Sequence, residues 1–271
     1  MTVMKLETVL RRDRVIIATA LAIIAALSWI YILTLIWQMD HDATMGGMDM
    51  QGMVMAGMSM MAIPQLAELP VLFLMWSVMM VGMMTPSAAP MILLYARVGR
   101  QAAAKGRPFS ATSWFAAGYL LAWIGFSIIA SLSQFWLQRQ ALLTPAMDSA
   151  SRLFSAFVLL AAGIFQWGPL KDACLSECRM PLQFIQRHGG FRPAAGQSLR
   201  LGFEHGLYCV GCCWALMALL FVGGVMNMLW IAGLSILVLL EKMTPLGRDL
   251  ARLVGAALMI GGGWLLLSEL T

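Results

Sequence analysis

The 271 residues are 61% hydrophobic and only 11% charged, with a mean hydropathy of +0.80, a balance that excludes an ordinary soluble domain. The net charge of +5 follows the loops between apolar runs, so it reports membrane orientation and not nucleic-acid binding. No phosphate-cradling P-loop and no Ser-His-Asp set occurs, so ATP-driven pumping by this chain alone is not expected, and neither is an enzyme.

The first apolar run, 15–37, is long enough to span and ends in Trp37-Gln38-Met39 without a small-residue cleavage pattern, so it reads as an anchor, with 1–38 as an N-terminal unit. Residues 39–69 follow as an external Met-rich loop. Between Met39 and Met61 lie nine methionines with Asp40, His41, Asp42 and Asp49, and glycines at 46, 47, 52 and 57 argue against a packed helix. Thioether sulfur binds Cu(I) without losing a proton. Met45, Met48, Met50, Met53, Met55, Met58 and Met60, with His41, are therefore candidate metal-capturing residues. The plainer alternative is a flexible segment that meets lipid or a partner.

Residues 70–271 read as a six-span core. In its first span, MWSVMMVGMMTPSAAPM (75–91), Met75, Met79 and Met83 recur every four residues, as do Met80 and Met84, so both rows share one broad helix face. Pro86 and Pro90 then free carbonyls for a ligand or for Thr85 and Ser87. A relay through Met79, Met80, Met83 and Met84 competes with plain packing, since Met fills helix contacts and Gly82, Ala88 and Ala89 suit close helix approach. Further runs follow at 113–137 and 152–169.

All five cysteines come next, Cys174 and Cys178 after the run at 152–169, and Cys209, Cys212 and Cys213 in the run at 205–225. Spacings of three and four put each group on one helix face. His205 extends the second stripe back by one turn and Met217 extends it forward. Two thiol groups brought together suit a tetrahedral sulfur site or a two- or three-coordinate Cu(I) site, with His205 as a nitrogen donor; zinc, which also accepts four thiolates, is the alternative ion. A redox dithiol and a purely structural cluster remain the other readings. The last runs, 227–241 and 250–268, flank Glu241-Lys242, an interfacial pair in which Lys242 could neutralise Glu241.

With the N-terminus inside, seven spans place all but Arg139 and Arg152 of the 18 basic residues on the cytoplasmic side, as the positive-inside rule requires. The cysteines then fall at the cytoplasmic ends of spans four and five, the C-terminus is periplasmic, and the protein lies in a bacterial inner membrane. The short run at 227–241 leaves five spans plus a re-entrant pair open. On this reading the fold is an all-α transmembrane bundle. Cu(I) moves from the Met-rich loop to the cysteines and then to a cytosolic thiol acceptor; a copper-holding assembly factor for a neighbouring membrane enzyme, or a thiol oxidoreductase, are the rivals.

The segments MMVGMMTPSAAPMILLYARV (79–98), CLSECRMPLQF (174–184), GFEHGLYCVGCCWALMALLFVGGVMNMLWI (202–231) and LEKMTPLG (240–247) resemble the bacterial family of predicted metal-binding integral membrane proteins, over roughly residues 70–268. GLYCVGCCWALM is the specific element. The resemblance implies metal binding, with Cys174, Cys178, Cys209, Cys212 and Cys213 in the matching motifs; the Met-rich loop lies outside them. In ligand logic alone, a Met-rich outer segment, a Met-x-x-x-Met span and cytosolic thiols are also similar to eukaryotic copper importers.

Overall fold

The computed structural model describes residues 15–38, 41, 68–104, 111–144, 147–188, 190 and 194–270. Apart from an isolated antiparallel bridge between Leu143 and Ser149, the described residues form helices and their connections. In chain order the helices are α1 (Val15–Gln38), α2 (Leu69–Ala104), α3 (Thr112–Arg139), α4 (Arg152–Gln166), α5 (Pro169–Arg179), α6 (Pro181–Arg187), α7 (Ala195–Ala218), α8 (Leu220–Gly223), α9 (Met228–Met243) and α10 (Gly247–Leu270). Large apolar side chains face outward along them, among them Ile129 and Trp136 on α3, Leu229 and Ile236 on α9, and Ile260 and Trp264 on α10. A band of that kind suits hydrocarbon and not water.

Among the described residues five helices are long and apolar enough to cross a membrane, and a sixth crossing results if α4 and α5, bent by 61° at their junction, make one broken span. The expected sixth span, 227–241, forms α9, which is helical but only 16 residues long. At 1.5 Å per residue it covers about 24 Å, short of a hydrocarbon core of about 30 Å. The reason for the bend lies in the sequence: Pro169 starts α5 and Pro181 starts α6, each at a position where its missing N–H costs nothing, and neither can continue the helix before it.

The core is the seam of α2, α3, α7 and α9, with α5 and α6 folded against α7. α3 and α7 pack through small residues: a Cβ on Gly202 would strike the Phe115 carbonyl, and one on Gly206 would come within 2.5 Å of Ala122 Cβ. α4 pairs with α10 at the side, and α1 stands at the edge, touching α2 where Ser28 meets Gly82. α9 and α10 meet at a tight corner, where a Cβ on Gly247 would overlap the Glu241 carbonyl. That corner turns Glu241 and Lys242 into the bundle, where both are buried.

Candidate metal centre

α7 begins ten residues ahead of the expected start of its apolar run, so Cys209 sits fourteen residues from either end of Ala195–Gly223, buried inside the bundle. The segment 195–204, ahead of the apolar run at 205–225, carries Arg200 and Glu204, which pair at 2.8 Å along one helix face and prolong α7. Cys209, Cys212 and Cys213 are buried on the face turned towards α5 and α9. α5 brings Cys178 to them and lays Cys174 over the backbone of Gly211, where a Cβ would lie 2.8 Å from Cys174 Sγ.

Four of these thiols close a ring. Cys178 lies beside both Cys209 and Cys212, and Cys213 lies beside the same two. Cys212 and Cys213 also donate to the Cys209 carbonyl, at 3.1 and 2.9 Å, which fixes their sulfurs along the helix. Cys174 is buried beside the ring, over Gly211. All five cysteines are free thiols. Among the described residues no group of three His, Cys, Asp or Glu side chains has the arrangement of a formed metal site.

Around the ring stand groups that the sequence pattern did not assign to the thiols. Lys242 Nζ donates to Cys209 Sγ at 2.8 Å and to Ser87 Oγ at 3.2 Å. Tyr119 OH lies 3.1 Å from Cys209 Sγ and 3.2 Å from the Met84 carbonyl. The expected pairing of Lys242 with Glu241 does not occur. Glu241 accepts instead from Lys171 at 2.6 Å and from Gln166 at 3.0 Å, an ion pair buried on both sides. One rule was available in the sequence: adjacent residues on a helix point about 100° apart and do not face each other, so Glu241 and Lys242 had to find separate partners.

His205 is one turn before Cys209, buried, with its Nδ1 lacking a hydrogen-bond partner among the described residues. Phe184 of α6 covers it, with ring centroids 5.0 Å apart, and Phe184 also stacks on His188 at 4.3 Å. Beyond His188 opens a cavity of about 300 Å³ lined by Tyr95, Gln197, Ser198, Arg200 and Glu204 among others. A free nitrogen on a buried imidazole beside four sulfurs is a donor set suited to a soft ion.

Met79, Met80, Met83 and Met84 are fully or almost fully buried, in one core with Met75, Met91 and the thiols, and Met217 is buried one turn beyond Cys213. α2 runs on through Pro86 and Pro90; Thr85 and Ser87 bond back to the carbonyls of Val81 and Met84. The column from Met75 to Met84 covers about 14 Å of helix and ends against Tyr119 and the ring. At its far end Trp76 donates to Gln134, which donates to Met147 Sδ at 3.3 Å. His41 is exposed and stacks on Trp37. Met45, Met48, Met50, Met53, Met55, Met58 and Met60 lie outside the described residues.

No curated protein matches the chain, and no solved structure matches it. The family model PpoB2, described as a copper chaperone, matches residues 73–265, which takes in the buried methionines, all five cysteines and Lys242. By that match, over more than half its length, the chain belongs to the PpoB2 copper chaperone family.

Proposed function

We propose that the protein holds Cu(I) on the ring of Cys178, Cys209, Cys212 and Cys213 and hands it to a thiol-bearing acceptor, acting as a carrier and not as an enzyme. The single observation that carries this is the ring itself: four free thiols from two helices, close together, three of them buried and Cys178 half-buried, with His205 and Cys174 beside them. Soft thiolates favour Cu(I), and burial keeps the bound ion from water and oxidants. Zinc would seek four regular thiolate ligands, whereas Cu(I) is satisfied by two or three.

The buried methionines of α2 supply the approach. Neutral thioethers bind Cu(I) more weakly than thiolates do, so an ion passing along Met79, Met80, Met83 and Met84 gains affinity as it nears Cys209. The Met-rich loop at 39–61 captures the ion first, on the periplasmic side of a bacterial inner membrane. Release goes past His205 and Phe184 to the cavity at His188, where a cytosolic acceptor or a neighbouring membrane enzyme takes the ion.

Metal analysis of the detergent-purified chain tests the reading. Stoichiometric copper after Cu(I) loading, lost when Cys209, Cys212 and Cys213 are replaced by serine, is the expected result, with a sulfur-dominated shell in copper X-ray absorption. Copper content unchanged by the triple substitution overturns the assignment. A reversible Cys209–Cys212 disulfide coupled to a quinone, with no copper retained, turns it into the redox reading.

A further inference from the structure

We propose that Lys242 sets the charge of the metal that the thiol ring accepts, favouring a monovalent soft ion over a divalent one. This rests on the copper-holding reading above and adds to it a specificity-determining residue. The Lys242 side chain is buried, with Nζ 2.8 Å from Cys209 Sγ and 3.2 Å from Ser87 Oγ. Its neighbour Glu241 is held by Lys171 and Gln166 on another face of α9. Among the described residues Lys242 has no carboxylate partner, so its positive charge is balanced only by what the sulfurs carry.

Charge counting then separates the ions. Cu(I) on two thiolates, formed as two thiols release their protons, carries one net negative charge, and the ammonium brings the cluster to zero. A divalent ion on the same two thiolates leaves an excess of one positive charge, and on four thiolates an excess of one negative charge; it reaches zero only with three thiolates, one more buried thiol deprotonated than Cu(I) needs. Either excess is buried without a counter-charge, which is costly. The ammonium also repels the bound ion in proportion to its charge. At a separation of about 5 Å and an effective dielectric constant of about 20, one additional unit of metal charge changes affinity by about a hundredfold.

The experiment is an equilibrium competition on the purified full chain, with Ag(I) as a redox-inert monovalent probe and Cd(II) as a soft divalent one. The quantity read is the Ag(I)-over-Cd(II) preference of each variant relative to wild type, which a general loosening of the fold would not move in one direction. Lys242→Met, which keeps the length and removes the charge, is expected to lower that preference by about a hundredfold. Lys242→Arg, which keeps the charge, is expected to stay within about fivefold of wild type; Lys242→Gln serves if the Met variant does not fold. Unchanged preference in a charge-removing variant that still binds both ions overturns the proposal and leaves the copper-holding reading standing. A wild-type chain that takes up neither ion overturns both.

Discussion

Cys209 is the residue on which the contacts converge: Cys178, Lys242, Tyr119 and the sulfurs of Cys212 and Cys213 all meet at its sulfur or carbonyl. Tyr119 holds one of these contacts by its hydroxyl alone while its ring packs 6.0 Å from His205. Tyr119→Phe therefore removes the hydroxyl contacts to Cys209 and to the Met84 carbonyl and keeps the packing. It is expected to retain copper stoichiometry and to lower stability by about 1 kcal/mol, read by chemical unfolding in detergent. The Lys171–Glu241 pair behaves differently because both charges are buried. Lys171→Met leaves a carboxylate without its counter-charge and is expected to cost about 3–5 kcal/mol; adding Glu241→Gln should recover most of that, in the same unfolding measurement. A double variant no more stable than the single one would mean that the pair does not carry the cost.

At the level of helices, the site depends on how closely α3 and α7 approach. Gly202→Ala puts a methyl group into the Phe115 backbone, which cannot move aside as a side chain would, so the helices must part. Destabilisation of about 1–3 kcal/mol with loss of copper is expected, whereas Gly233→Ala, with open space at its Cβ, should leave both unchanged. The methionine column of α2 raises the opposite question, whether sulfur or only bulk is needed. Replacing Met79 and Met83 by leucine conserves volume, so stability should change by less than about 1.5 kcal/mol. If the thioethers conduct the ion, copper loading slows while final stoichiometry stays the same; an unaltered loading rate assigns these residues to packing alone. The periodicity that placed them on one face was readable because the 3.6-residue repeat needs no tertiary information. What they face was not.

For the molecule as a whole, the bundle buries its chemistry where α2, α3, α5, α7 and α9 meet and turns apolar side chains outward. A chain lacking residues 39–61 should still hold stoichiometric copper on the ring, yet load more slowly when copper is scarce, as followed by uptake from a limiting Cu(I) chelate. The all-helical class, the apolar runs and the clustering of the cysteines were determined by the sequence, because hydropathy and helical spacing are local properties that hold in any tertiary setting. Three things were left to the tertiary structure. α9 stays too short to cross on its own, since where a helix ends against a corner such as Gly247 is a matter of contacts with other segments. Cys178 joins Cys209, Cys212 and Cys213 while Cys174 stands beside them, because the bend between α4 and α5 sets which face of α5 meets α7. Lys242 reaches the sulfurs, and Lys171 reaches Glu241, because adjacent side chains on α9 point to different neighbours, and only packing decides which neighbours those are.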